Sequence, residues 1–383
     1  MNRMIIQGKI PGAQAPVNIF IDGGTIARVE PYRGEIHFDF GGPDLYLCRG
    51  FFDPQVNGFA GVDFNGIDLT LERLHQAVHS LASTGVTNFF PTLITASYER
   101  IVRQLKPLTK AYETDPLFKR MCLGFHLEGP YISPEDGPRG AHPRDFVRPP
   151  KWEEVERFQE VCGGRIRIIT LAPEVKGAIP FVEKAVANGI VIGLGHTNAS
   201  EEVIEEAVRA GARLSCHLGN GAHALLPRHR NPIQKQLAMD DLMASIITDG
   251  IHLPDYVVKN FVRGKGIVRI LLTTDSMAGA GAPPGRYTLG DLGVEVGNDR
   301  TARLSGTPYL AGSALTMDRA IRNVIHFAGV DLSEAIQMAS KNGVKLFPEV
   351  EGEIVPGHSA DIVLFEYKDD LVVKSTWIHG EKV

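Results

Sequence analysis

Cysteine is scarce in this 383-residue chain, and the four present, Cys48, Cys122, Cys162 and Cys216, are scattered without C-x-x-C spacing. That pattern excludes a disulfide framework and fits reduced, unpaired thiols. Long apolar runs are missing as well. No segment approaches the ~20 consecutive apolar residues of a membrane span. The opening MNRMIIQGKIPG lacks the roughly 7–15-residue apolar stretch of a secretory signal. Positive charge nowhere accumulates: the net charge is −5, and no Lys/Arg run offers a face to nucleic acid or membrane. These absences lead us to expect a soluble cytoplasmic protein. Its hydrophobic fraction of 43% and charged fraction of 22% are those of a globular chain with a real core. The length exceeds one average domain, yet suits a single large α/β barrel with additions.

Short apolar runs alternate with amphipathic stretches from about residue 50 to about residue 339. The runs read as buried strands over 49–57, 86–92, 121–130, 165–174, 190–197, 212–220, 243–253 and 268–277. Between them, Leu71, Leu74, Val78 and Leu81 repeat at helical spacing. Ser200 is placed to cap a helix with acidic residues in its first turn. Eight strands alternating with helices predict a parallel sheet closed into a (β/α)8 TIM-like barrel over 50–339. Residues 1–49 and 340–383 instead show brief strand-like pieces with Gly turns, such as VNIFIDGGTIARVE and LVVKSTWIHGEKV. They are expected to pair into a small β-sandwich domain.

Polar residues unusual for buried strands cluster at the ends of these runs: Gln55, Asn57, Glu128, His196, His217, His252 and Asp275. In a barrel the C-terminal strand ends converge on one face, so residues distant in sequence meet there. Glu128, His196 and His217 together make the three-ligand set of a catalytic zinc site, with one position left for water. Asp275, in TTDSM, is placed to take a proton from that water and pass it to a leaving group. Gly129 and Gly195 beside the ligands fit tight turns that aim side chains inward.

The segments GFFDPQVNGFAGVDFN (50–65), HLEGPYISPEDGPRGAHP (126–143), LGHTNAS (194–200) and CHLGNG (216–221) carry a family resemblance. TDGIHLP (248–254), TTDSMAGAG (273–281), LAGSALTMDRAIRN (310–323) and VPGHSADIVLF (355–365) extend it over nearly the whole chain. Together they resemble the N-acetylglucosamine-6-phosphate deacetylase family of the amidohydrolase superfamily. The resemblance implies a barrel plus β-sandwich, a catalytic divalent metal, and hydrolysis of a sugar N-acetyl group. Residue by residue, it assigns Glu128, His196 and His217 to the metal and Asp275 to acid/base catalysis. It assigns His142, with Ala141, to substrate contact and polarisation of the acetyl carbonyl. Asp249 and His252 match sugar contacts, Asn220 and Gly221 a contact to the phosphorylated end, and Leu310, Ala311 and Gly312 a substrate-lining stretch. His126 matches no such role, and packing is the better expectation for it. Two-metal members of the superfamily place H-x-H where this chain has Gln55-Val56-Asn57, and ITLAPE offers no lysine to bridge two cations. One metal is therefore expected, zinc first, with iron, manganese or cobalt compatible with the N/O ligands.

One stretch departs from the family. HLGNGAHALLPRHRNPI (217–233) replaces the usual HLFNAM and following R-E-P-G element, whose arginine binds the sugar phosphate. Gly219 stands where a larger residue is usual, and the loop is about two residues longer. Either Arg228 or Arg230 takes the phosphate-binding place, depending on the alignment, and in the family that arginine often comes from the partner of a homodimer. A different N-acetylated sugar, such as N-acetylgalactosamine 6-phosphate or an unphosphorylated amino sugar, is thus an alternative substrate. Another amidohydrolase reaction, on a cyclic amide or N-acyl amino acid, and a catalytically dead scaffold are further alternatives. AGAGAPPG (278–285) reads equally as a flap over the site and as an ordinary surface loop.

Overall fold

Eight parallel strands form the central sheet of the computed structural model, which describes residues 3–32, 34 and 37–383. Residues 1, 2, 33, 35 and 36 of the expected N-terminal β segment lie outside the described residues. The strands are β1 (Phe51–Val56), β2 (Val86–Ile94), β3 (Phe125–Glu128), β4 (Ile166–Leu171), β5 (Val191–Leu194), β6 (Leu214–Ser215), β7 (Met243–Ile246) and β8 (Ile270–Leu272). Each pairs with its neighbour in sequence. The seam between β8 and β1 is closed by a parallel bridge between Val56 and Ser276, where the Asn57 N–H donates to the Ser276 carbonyl at 2.8 Å. Below it, the Asp53 carboxylate accepts from the hydroxyls of Thr273 at 3.0 Å and Thr274 at 2.5 Å. The expected barrel is therefore present.

Helices cover the outside. In Leu71–Ala82, Thr70 caps the N-terminus by accepting from the Arg73 N–H, and Leu74, Val78 and Leu81 turn inward. Leu71, read from the sequence as part of that face, is 42% exposed because it lies in the first turn, before the helix meets the sheet. Ser200 caps Glu201–Arg209 as expected, accepting from Val203 N–H.

Seven of the eight strands end before the apolar runs that announced them, and β2 alone runs on, to Ile94. His196, His217 and Asp275 have φ of 52°, 30° and 49°. A left-handed residue cannot continue a strand ladder, so the chain leaves the sheet where the polar groups begin.

At the opposite end, Phe347 and Val350 plug the barrel floor against Phe52, Phe90, Ile168, Leu214, Met243 and Leu271. Phe347 lies 4.7 Å from Phe90 between ring centroids. This plug belongs to the stretch that the sequence assigned to the terminal unit. The terminal sheet itself has seven strands: Arg3–Lys9, Val17–Asp22, Thr25–Pro31 and Phe40–Arg49 from one end, with Ile362–Tyr367, Leu371–Ile378 and Glu381–Lys382 from the other. Ile362–Tyr367 runs antiparallel to Phe40–Arg49, which joins the two termini. Its own apolar cluster includes Ile6, Ile19, Ile26, Ile362 and Trp377.

A further three-stranded antiparallel sheet, Gly285–Leu289, Leu292–Val296 and Ala302–Leu304, is inserted after β8. The sequence reading had only a loop there. Leu289, Val294 and Val296 pack on Ile94, Met277 and Ala278, which fixes this sheet over the catalytic end of the barrel.

Candidate active site

Glu128 is the last residue of β3, and His196 and His217 follow β5 and β6 by two residues each. Their ligand atoms converge: Glu128 Oε1 lies 3.1 Å from His196 Nε2 and 2.8 Å from His217 Nε2. All three side chains are buried. Burial alone would raise the Glu128 carboxyl, but the two imidazoles outweigh it and hold the group well below its ordinary range. The donor set fits a divalent cation. Ligand atoms of tetrahedral zinc stand about 3.3 Å apart, given Zn–N and Zn–O bonds of about 2.0–2.1 Å. The His196 Nδ1–H donates to the Pro138 carbonyl at 2.8 Å, which turns the Nε2 lone pair toward Glu128. Among the described residues, only these three form a buried cluster of this kind.

Asp275 follows β8 and is fixed by two amides. Gln55 Nε2 donates to its Oδ1 at 2.8 Å and Asn57 Nδ2 to the same oxygen at 2.7 Å. The Gln55 amide is itself oriented by the Cys216 thiol, 3.0 Å from Gln55 Oε1. Oδ2 is thus the oxygen left for proton transfer. Burial, and then the nearby Glu128 charge, raise Asp275 to about 6.

His142 arrives on the loop after β3, its Nε2 3.9 Å from Glu128 Oε2. Its Nδ1 faces the Thr95 hydroxyl at 2.8 Å and accepts the Thr95 backbone N–H at 3.4 Å. That contact puts the ring proton on Nε2, the nitrogen turned to the metal ligands. Burial, then the neighbouring His196, push its pKa down to about 3, so the ring is a neutral donor. His252 Nδ1 is held by Asp249 Oδ2 at 2.7 Å.

These groups line one cavity of about 740 Å³, of the size of a small-molecule site. Glu128, Ala141, His142, His196, His217, Asn220, Gly221, His252, Asp275, Leu310, Ala311 and Gly312 all border it. Asp249 stands behind His252 and does not. Arg228 and Arg230 are exposed and outside it, so a single chain does not bring them to the site. His126 is buried beneath, between the Pro54 carbonyl at 3.1 Å and the Thr170 hydroxyl at 2.8 Å, as a strut across the barrel.

Other lining residues escaped the sequence reading: Asp136 and Arg139 on the His142 loop, Leu289, Leu292 and Leu304 from the inserted sheet, and Tyr309 just after it. A signal for the insert existed in the alternation of Tyr287, Leu289, Leu292, Val294 and Val296 with polar residues. The departures near 219 also have structural reasons. A Cβ on Gly219 would meet the Leu253 and Phe261 side chains at 2.9 Å, so those residues fill the place of a larger one. A Cβ on Gly221, whose φ is +57°, would stand 2.8 Å from His196 Nδ1.

Comparison with known proteins identifies the family. The amidohydrolase family model matches residues 47–383. An N-acetylglucosamine-6-phosphate deacetylase of Lysinibacillus sphaericus is 31% identical over 93% of this chain and 90% of its own. An N-acetylgalactosamine-6-phosphate deacetylase of Escherichia coli O157:H7 is 32% identical over 94% and 93%. The solved structure of a mutant N-acetyl-D-glucosamine-6-phosphate deacetylase from Mycobacterium smegmatis, in complex with N-acetyl-D-glucosamine-6-phosphate, superposes with a TM-score of 0.91 at 26% identity. It covers 100% of this chain and 99% of that one. A barrel with a Glu-His-His centre at its catalytic end and a sheet shared by both termini, matched almost end to end, places this chain in the amidohydrolase family.

Proposed function

We propose that this enzyme hydrolyses the acetamide of N-acetylglucosamine 6-phosphate to glucosamine 6-phosphate and acetate. The observation that carries the reading is one cavity holding the Glu128-His196-His217 cluster, a half-satisfied buried Asp275 and a neutral His142. Glu128, His196 and His217 would hold one divalent ion, zinc by preference. Bound there, it supplies Lewis-acid polarisation and makes water a nucleophile at neutral pH. A single ion is favoured because Gln55 binds Cys216 through its oxygen and Asp275 through its nitrogen, which leaves it no free polar atom.

The chain's own groups do the rest. His142 Nε2–H donates to the acetyl carbonyl oxygen and stabilises the charge that grows there. Asp275 Oδ2 takes a proton from the attacking water and returns it to the amide nitrogen as the C–N bond breaks. An amine is a poor leaving group until protonated, so the second transfer matters as much as the first. His252, oriented by Asp249, offers Nε2 to a sugar hydroxyl.

A second reading is favoured by two observations. The 217–233 stretch departs from the family pattern, and an N-acetylgalactosamine-6-phosphate deacetylase is as similar to this chain as an N-acetylglucosamine-6-phosphate deacetylase is. The test is acetate release from zinc-loaded protein given N-acetylglucosamine 6-phosphate, N-acetylgalactosamine 6-phosphate or N-acetylglucosamine. The first should be turned over with the highest kcat/KM. A preference for either of the others would move the assignment to that sugar, and no acetate from any would refute it.

A homodimer and a cytoplasmic location are part of the proposal. Leu225 is 92% exposed beside exposed Arg228 and Arg230, a surface suited to a second copy. All four cysteines are buried and unpaired, which suits a reducing compartment. No helix among the described residues is long and apolar enough to cross a membrane. Sedimentation equilibrium would report the assembly directly.

A further inference from the structure

We infer that Asp63 is a positioning residue for substrate binding, which latches the inserted hairpin in place as a wall of the catalytic cavity; this rests on the deacetylase reading above. Asp63 lies in the loop after β1, where Val62–Asp63 pairs with Gly58–Phe59. It is 6% exposed, and a carboxylate at that depth is costly unless its oxygens are hydrogen-bonded. Oδ1 accepts the Asn65 N–H of its own loop at 2.8 Å. Oδ2 reaches the insert instead, accepting from the Thr288 hydroxyl at 3.0 Å and the Gly290 N–H at 2.8 Å. A carboxylate offers acceptors on both sides, whereas an amide would turn its NH2 toward one of those N–H groups.

Both partners in the insert belong to the tip of its hairpin. Leu289 pairs with Leu292, so Gly290 and Asp291 form a two-residue turn, with Gly290 at φ +62°. Asp291 is held in its turn by Arg100 Nη1 at 2.7 Å, from the first turn of the helix Tyr98–Thr114. Arg100 Nη2 also donates to the Asn65 carbonyl at 3.1 Å, and Asn65 Oδ1 accepts the Ile94 N–H at 2.9 Å. The tip is thus pinned twice to the ends of β1 and β2. Every partner belongs to the same chain, so the latch is complete in a single copy.

What flanks the tip gives the latch its consequence. Leu289 and Leu292 both border the catalytic cavity. Leu289 shares an apolar cluster with Ile94, Met277 and Ala311, against which Ala141 packs. Ile94 pairs with Glu128 across the sheet, and the neighbouring Thr95 holds the His142 ring. The wall therefore stands beside both the metal ligands and the carbonyl-polarising histidine. The rest of the insert is less firmly tied: Gly285, Arg286, Thr288 and Glu295 are exposed, and a short hairpin is marginal by itself.

The test compares zinc-loaded wild type with Asp63→Asn, Thr288→Val, Thr288→Ser and the double variant Asp63→Asn/Thr288→Val, each acting on N-acetylglucosamine 6-phosphate. Amide hydrogen exchange over residues 285–296 is followed beside the kinetics. Thr288 is exposed, so its substitutions leave the core intact and decide the matter even where Asp63→Asn fails to fold. Wall contacts are made alike by bound substrate and transition state, so their loss belongs in KM. Asp63→Asn should raise KM about 10-fold and keep kcat within about twofold, as for a lost hydrogen bond to a charged group. Exchange over the hairpin should quicken with it. Thr288→Val should move both readouts the same way by less, and Thr288→Ser should match the wild type. The double variant should be little worse than Asp63→Asn, because both changes cut one bond. An unchanged KM in Asp63→Asn, or in Thr288→Val should the former not fold, would overturn the inference. A raised KM with unaltered exchange over the hairpin would also overturn it, since the effect would then lie in the barrel. A wild type that releases no acetate would instead refute the underlying reading, and the inference with it.

Discussion

Asp275 carries both proton transfers of the proposed reaction, and its two oxygens have different surroundings. Oδ1 accepts from Gln55 and Asn57, so Oδ2 alone is placed to exchange protons. Asp275→Asn should retain the metal and lose between about 100- and 10,000-fold in kcat, the range for removing a general acid–base. Metal analysis beside steady-state kinetics checks both halves of that statement. The pH dependence follows with a definite sign. The ionised carboxylate is the base, and burial with Glu128 raises it to about 6. Activity should therefore fall as pH drops through about 6. A bound cation favours the ionised form and moves this limb lower, never higher. An acid limb that persists unchanged in the residual activity of Asp275→Asn would show that another group sets it. At this scale much was legible in the sequence. Glu128, His196, His217, His142 and Asp275 stood out because each is a polar residue where a buried strand should have been apolar, or sits on the loop that such a strand feeds. Arg139 was not, since an arginine in a Gly/Pro-rich loop looks like any solvated side chain.

Elements decide where those residues point. The left-handed backbone at His196, His217 and Asp275 turns three side chains over the barrel mouth just after their strands end. Such conformations concentrate at functional sites, where surrounding structure sustains them. They also explain why periodicity overran the strands: an apolar pattern shows where burial begins and says little about where φ changes sign. Gly221→Ala tests the same coupling from the adjoining loop. The added methyl would stand 2.8 Å from His196 Nδ1 on a backbone at φ +57°. The expected outcome is weakened metal affinity together with lost turnover, readable as zinc retained after dialysis. His196→Ala should behave alike and serves as the reference. The inserted sheet after β8 was the element least legible in the sequence. Its strands are short and exposed on one side, so they resemble the Gly/Pro loop that leads into them, and their purpose emerges only where Leu289, Leu292 and Leu304 wall the cavity.

For the whole molecule, the barrel is closed at one end by apolar packing and left open at the other for chemistry. Phe347, contributed by a segment distant from β1 and β2, fills the floor between Phe52 and Phe90. Phe347→Ala should cost about 3–5 kcal/mol, the usual penalty for emptying a buried aromatic site, measurable by urea unfolding of the metal-loaded protein. The alternation of strands and helices made the barrel legible early. The floor was not, because a lone phenylalanine past the last barrel helix carries no periodic signal.

The most direct test is to strip the protein with a chelator and titrate zinc back while following acetate release from N-acetylglucosamine 6-phosphate. Release should be negligible without metal and reach full activity at one equivalent of zinc per chain. Undiminished release from metal-free protein, or a requirement for two equivalents, would contradict a single-metal deacetylase built on Glu128, His196 and His217.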